Sequence, residues 1–261
     1  GYLALCTDNL PDPEIKLPGD YFNSLLYTGN GVDGRAITGV GFQPDFLWVK
    51  KRDAVGAHTI LDAIRGTDSF LESNGSGAAD TGTAAIDSFD SDGFTVTDYN
   101  NTNQDTKTFV AWNWLAGTAP TADNSAGAGA TPTAGSVKID GSNLGSALAG
   151  TIAATRLSAN TTSGFSIVKY TGNDTSGATL AHGLSSAPEL IIAKGINYAG
   201  TNWPVGATPM SSGWTKYMQL DANDAESTST ARWNDTAPTA SVFSIGDDNQ
   251  VNNSSYNYIA Y

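Results

Sequence analysis

Few side chains in this sequence are equipped for covalent chemistry. A hydrolytic nucleophile needs a base beside it, and the 261 residues hold two histidines, His58 and His182. Asp62 follows His58 by four positions, but no Gly-x-Ser-x-Gly elbow accompanies them, so both histidines read as structural. Glycoside cleavage needs two carboxylates across a sugar. The glutamates are Glu14, Glu72, Glu189 and Glu226, the other acids are aspartates in turn-like settings, and no pair stands out. Phosphate loops, His-Glu-x-x-His and dinucleotide fingerprints are absent. Cys6 is the only thiol, which excludes an internal disulfide and any multi-cysteine metal site. No catalytic, cofactor-binding or metal-binding residue is assigned. The nearest to an exception is Asp87, Asp90 and Asp92 before Gly93, where oxygens around a glycine turn would suit a structural Ca²⁺ near Asp90 and Asp92. The run lacks a later bidentate glutamate, and a hairpin turn with exposed carboxylates is the plainer reading.

Binding residues are better represented. Of the six tryptophans, Trp48 sits in an apolar run and reads as core. Trp203, Trp214 and Trp233 lie beside Gly, Pro, Asn or Asp, which makes them the expected contacts for a glycan or a second subunit. Lys50-Lys51-Arg52 is a basic cluster read as solvated strand-end charge, with pairing to acids of a neighbouring subunit as the alternative. A net charge of -13 argues against nucleic acid, which is held by clustered Lys and Arg. No apolar run approaches the roughly 20 residues of a membrane span, so no membrane insertion is expected.

The elements that must position these residues are short strands. Apolar segments are brief, rich in aromatic and β-branched types, and bounded by Gly, Pro, Asn or Asp. This predicts an all-β chain with little helix; helical spacing occurs only over residues 57–65 and 144–154. Asn30-Gly31 predicts a hairpin pairing 24–28 with 35–38. Pro44 and Pro188 are expected at strand entrances, and Phe46 to Val49 and Leu190 to Ala193, apolar on both faces, should be central strands. Over Thr108 to Trp114, Phe109, Ala111 and Asn113 share one face, and Val110, Trp112 and Trp114 the other.

An internal repeat organises the whole. Tyr27-Thr28-Gly29-Asn30 returns as Tyr170-Thr171-Gly172-Asn173, 143 positions later. Pro44-Asp45-Phe46-Leu47 returns as Pro188-Glu189-Leu190-Ile191; Gly93-Phe94-Thr95-Val96 matches Val242-Phe243-Ser244-Ile245, and Phe109-Val110-Ala111-Trp112 matches Tyr258-Ile259-Ala260-Tyr261. The expected organisation is an extended lead-in over residues 1–23, a β-sandwich over 24–115, a Gly/Ala/Thr-rich linker over 116–163 able to add strands, and a related β-sandwich over 164–261. A jelly-roll or concanavalin-like sandwich is expected for each copy.

The motifs YTGNG, GFQPDFLWVKKR, FLESN, SFDSDGFTV and FVAWNW, preceded by ALCTDNLPDPEI, together resemble a module recurrent in tail and other virion structural proteins of tailed bacteriophages. The second copy, with GFSIVKYTGN, AHGLSSAPELIIAK and YIAY, resembles a companion module of such proteins. The resemblance implies a non-enzymatic virion structural protein on the particle surface, part of a tail fibre, tail spike or other appendage. It implies a homo-oligomer, a trimer by analogy with appendages, among other virion proteins and with no cofactor. The alternatives are a host-glycan-binding adhesin or depolymerase module, and a capsid decoration protein or bacterial surface filament protein.

Overall fold

Strands that are apolar on both faces need cover on both sides, and four stacked β layers supply it. The computed structural model describes residues 17–261, so residues 1–16 of the lead-in, with Cys6, Pro11 and Pro13, lie outside the described residues. A single 3₁₀ turn, Pro18–Asp20, leads into the first strand.

The first half contains β1 (Phe22–Thr28), β2 (Arg35–Thr38), β3 (Phe46–Lys51), β4 (His58–Asp62), β5 (Gly66–Glu72), β6 (Ile86–Asp90), β7 (Gly93–Val96), the one-turn helix α1 (Asn100–Asn103) and β8 (Thr108–Trp114). They form a sheet ordered β1-β8-β3-β4-β5 and a facing sheet β2-β7-β6. Leu47, Val49, Leu61, Phe109 and Ala111 fill the space between them with Ile37, Phe94 and Val96. The chain continues through β9 (Val137–Ile139), β10 (Ser142–Asn143) and β11 (Arg156–Asn160). The second half comprises β12 (Phe165–Thr171), β13 (Ala178–Ala181), β14 (Leu190–Gly195), β15 (Pro204–Ala207), β16 (Lys216–Gln219), β17 (Ser227–Thr228), α2 (Thr230–Trp233), β18 (Val242–Ile245) and β19 (Asn257–Ala260). Its large sheet runs β10-β9-β11-β12-β19-β14-β15-β16-β17 and faces the pair β13-β18. The chain is all-β, built of sandwiches, with two four-residue helices among the described residues.

The order β1-β8-β3-β4-β5 recurs as β12-β19-β14-β15-β16, and β2-β7 as β13-β18. The recurring Tyr-Thr-Gly-Asn has a physical reason in a buried asparagine. Asn103 donates from Nδ2 to the carbonyls of Val32 and Thr97, both at 2.9 Å, and its Oδ1 accepts the Asn30 amide at 3.0 Å. Asn252 does the same with the carbonyls of Thr175 at 2.9 Å and Gly246 at 2.7 Å and the Asn173 amide at 2.8 Å. Tyr27 donates to the Thr102 carbonyl at 2.6 Å, and Tyr170 to that of Val251 at 2.8 Å. A methyl group on Gly29 or Gly172 would collide with the carbonyl of Gln104 or Asn253, so only glycine lets these loops close.

Three local expectations are corrected. The Asn30-Gly31 turn joins no hairpin: β1 pairs with β8, β2 pairs with β7, and the loop crosses between sheets because Asn30 is tied to Asn103. Residues 57–65 contain β4 rather than a helix. Ile60 faces one core and Leu61 another, and this two-sided apolar run imitates helical spacing. Residues 144–154 are irregular, with Gly150 and Ile152 bridging to Leu180.

The segment over 116–163 docks on its own chain. β11 pairs antiparallel with β12 and parallel with β9. Asn124 donates from its side chain to the Ala154 carbonyl at 3.0 Å, and Arg156 is paired with Asp123.

The large sheets of the two sandwiches pack back to back. Phe46, Ile60 and Leu71 of the first meet Ile167, Ile259 and Trp203 of the second. The loop after β5 lies on the β14–β15 connection, where Gly200 donates to the Ser76 carbonyl at 2.8 Å and Ala79 to that of Ile196 at 2.9 Å. Lys194 reaches the same Ser76 carbonyl at 3.2 Å and also bonds Thr201. Burial pushes the Lys194 ammonium down to about 8, while Asp221 opposes the shift. Elsewhere in the seam Asp62 accepts from Arg65 at 2.6 Å and from the Tyr261 hydroxyl at 2.7 Å.

Candidate functional site

The unoccupied feature of this frame is the outer face of the first sandwich's large sheet. Pairing across β1, β8, β3 and β4 lines up the rows Phe22–Trp114–Phe46–Asp62, Ser24–Trp112–Trp48–Ile60 and Leu26–Val110–Lys50–His58. The second sandwich covers the β4 side of the face and stops short of β1. Phe22 is left 40% exposed and Leu26 65%, while Trp48, Val110, Trp112 and Trp114 are half-buried.

Where the sheets diverge, a crevice of about 290 Å³ opens between Phe46, Trp48 and Trp114 on one side and Phe165, Leu190 and Ile192 on the other. Its walls are aromatic edges and faces. Phe46 lies 5.2 Å from Trp114, 5.6 Å from Phe165 and 4.8 Å from Tyr261 between ring centroids. Trp48 and Trp112 meet edge to face at 5.9 Å, and Phe22 leans on Trp114 at 4.7 Å. The Trp48 Nε1 is buried without a hydrogen-bond partner. Such a surface can take an apolar ring or strand, and the Trp48 N–H would favour an acceptor oxygen on it.

Ionisable groups near the crevice are spent on structure. His182 has one ring nitrogen against the Thr239 carbonyl at 3.1 Å and the other accepting the Leu184 amide at 3.1 Å, and burial holds its pKa below the ordinary value. His58 is also held low, by burial and then by Lys50. Asp62 is committed to Arg65 and Tyr261, so it does not serve His58. Asp45 accepts the amides of Ala116 and Thr118 at 2.8 and 3.0 Å, fixing the path of the chain as it leaves β8. Burial pushes its carboxyl up to about 6; the two amide bonds oppose this and nearby Asp62 adds to it.

Trp203, Trp214 and Trp233 are core residues of this chain, only 0%, 6% and 1% exposed. Expecting them at a glycan or subunit contact is therefore a correction. Trp203 donates from Nε1 to the carbonyls of Glu72 and Gly75 at 3.2 and 3.1 Å and so locks the sandwiches together. Trp214 and Trp233 cross at 5.9 Å over Gly206, where a side chain would clash with both indoles. Adjacent Gly, Pro and Asn mark the entrance to β15 at Trp203, the 3₁₀ turn Gly213–Thr215 that carries Trp214 and the end of α2 at Trp233, and these aim the rings inward. The aromatic face that is open belongs to Trp48, Trp112 and Trp114. The period-two spacing of Thr108 to Trp114 places Val110, Trp112 and Trp114 on one side, and that grouping is the signal in the sequence for the open face.

Asp90 and Asp92 sit at the β6–β7 hairpin, where Asp90 pairs with Gly93. Asp90 accepts the hydroxyls of Ser88 and Thr95, each at 2.7 Å, and Asp92 accepts the amides of Gly39 at 3.0 Å and Gly41 at 2.7 Å; Asp87 is exposed. Among the described residues, no group of three or more His, Cys, Asp or Glu is spaced to hold a metal ion. No helix among them is long and apolar enough to cross a membrane.

No curated protein and no solved structure matches the chain. Residues 17–261 match a family described as a domain of unknown function, DUF7483, which spans both sandwiches, the segment between them and the crevice they form. The chain belongs to that family.

Proposed function

We propose that the chain is a non-enzymatic structural protein of a tailed-bacteriophage virion, part of a tail fibre, tail spike or other surface appendage. The observation that carries this reading is the uneven finish of two fused sandwiches. Their shared seam is closed by hydrogen bonds and aromatic packing, whereas the β1 side presents an uncharged strand and an apolar face with no cover among the described residues. A surface of that kind needs a partner, and a strongly acidic exterior keeps other encounters weak. The resemblance of the YTGNG- and FVAWNW-type motifs to modules of virion proteins supplies the setting. The buried acids, lysine and histidines bond loops and chain crossings, which suits a scaffold better than a reaction centre.

A glycan-binding role is favoured by one observation, the unpartnered Trp48 N–H beside half-buried Trp112. That role belongs to the crevice, whose lining includes the Trp203 ring, and not to Trp214 or Trp233.

The test is mass spectrometry and antibody labelling of particles purified from cells expressing the intact gene cluster. The proposal expects the chain at fixed copy number per particle, with label on an appendage. Recovery solely in the cell fraction would overturn it.

A further inference from the structure

We propose that β1 is a self-pairing edge, to which a second copy of this chain adds its own β1 in antiparallel register. The inference rests on the assembly reading above and names the partner of the same face.

The backbone shows what is on offer. Leu115 donates to the Tyr21 carbonyl at 2.8 Å and Gly29 to that of Lys107 at 2.7 Å, so the odd-numbered residues of this stretch bond toward β8. The amides and carbonyls of Phe22, Ser24, Leu26 and Thr28 therefore turn outward. The Ser24 amide is held by the neighbouring Asn23 side chain at 2.9 Å and the Thr28 carbonyl by Arg35; the other outward groups have no protein partner among the described residues.

Natural sheets blunt such edges with charge, proline, bulges or short strands, and the other edges here do so. β5 carries Asp68 and Glu72, bulges against β4 and is bridged from Phe70 to Asp80. β6 carries two aspartates and a bulge. β10 and β17 are two residues long, β2 and β18 four, and β13 is bridged by Gly150 and Ile152. β1 is seven residues, Phe-Asn-Ser-Leu-Leu-Tyr-Thr, with no charge, proline or bulge. The repeat also contains its own precedent. β12, the counterpart of β1, carries β11 along the equivalent edge in antiparallel register.

Charge favours a second copy over an unrelated strand. With Leu25 at the two-fold axis, Leu26 faces the second copy's Ser24, and Phe22 faces its Thr28. The exposed Asp20 beside Phe22 then meets the guanidinium that Arg35 holds at Thr28 in the other copy. This gives two opposite-charge contacts in a chain of net charge -13, while the paired strands bring no charge together.

Sedimentation of the full chain over a concentration series tests the idea. The expected result is a monomer–dimer equilibrium, with the amides of Phe22 and Leu26 gaining hydrogen-exchange protection as dimer forms. Leu26→Lys should weaken association about a hundredfold, because two-fold symmetry counts each change twice, and should leave the melting temperature unchanged at dilutions where both chains are monomeric. Should that variant misfold, Ser24→Lys carries the same test on an exposed position. A wild-type monomer at every concentration, a closed trimer, or a dimer indifferent to both lysines would overturn the proposal. So would protection of these amides in the monomer, which would mean that the chain fills its own edge. A monomer in solution that is nonetheless found in the particle would sink self-pairing alone and leave the assembly reading standing.

Discussion

β1 and β12 occupy the same place in the two sandwiches. Each is seven residues long, follows a turn and pairs with the last strand of its half, Tyr27 opposite Phe109 and Tyr170 opposite Tyr258. On its far side β12 has β11, then β9 and β10; β1 has no such neighbour among the described residues. The intervening segment was thus used to finish one copy and not the other. The inner frame is held the same way in both by a tyrosine, half-buried at Tyr27 and fully buried at Tyr170, a glycine and an asparagine. Difference is confined to the edge, where it leaves the first sandwich an open strand and the second a closed one. A duplicated core therefore need not mean duplicated surfaces.

The largest effects should come from attacking what the copies share. Asn103→Ala or Asn252→Ala leaves two carbonyls and one amide without their partner in a dry setting, a cost of about 3 kcal/mol or more for each variant. Urea unfolding of the intact chain should show similar losses from the two. A loss under about 1 kcal/mol at either site would mean that the loops are held by something else, and the equivalence of the copies would fail at its strongest point.

The same comparison explains what the sequence made visible. Strand character and the central place of β3 and β14 were legible because residues such as Leu47, Val49, Ile191 and Ala193 carry apolar pattern on a local scale. The Tyr-Thr-Gly-Asn repeat was legible as a string, but its reason was not, because Asn103 and Asn252 lie 73 and 79 residues from the amides they bind. The Asn30-Gly31 turn misled for the same cause: a hairpin signal is local, and the partner that redirects the loop is distant. The site was misplaced because a tryptophan's neighbours do not reveal which way its ring points. Trp203 and Trp48 both face the seam, and only the extent of the opposing sheet decides which stays open.

A smaller, pH-dependent effect should distinguish the first sandwich. Asp45 and Glu189 hold equivalent positions in the repeat, but Asp45 is buried and Glu189 exposed. The Asp45 carboxyl is raised to about 6 from 3.8, so the folded chain holds that proton more tightly than the unfolded chain. Its contribution is fully present below the unfolded value and is lost as pH rises through 6. Asp45→Asn keeps an oxygen for the amides of Ala116 and Thr118 and removes the titration. Relative to wild type, the variant should lose about 2 kcal/mol of stability between pH 7 and pH 4. A difference that does not change with pH would show that Asp45 ionises normally.

The finest contrast is between two indoles on one seam. Trp203 gives its N–H to two carbonyls of the first sandwich, whereas the Trp48 N–H is buried with none. Replacing either with Phe removes the donor and part of the ring. At Trp203 the change strands two acceptors and trims a fully packed side chain, so a loss of about 2 kcal/mol is expected. At Trp48 relief of an unsatisfied donor offsets the lost contact area, and the net change should lie within about 0.5 kcal/mol of zero. Thermal unfolding of the isolated chain would read both. If Trp48→Phe proves as costly as Trp203→Phe, the Trp48 N–H has a partner within the chain in solution and the crevice loses its one polar handle. If the two separate as expected, that N–H is held ready for an acceptor from outside, and the open side of the molecule is chemically as well as geometrically unfinished.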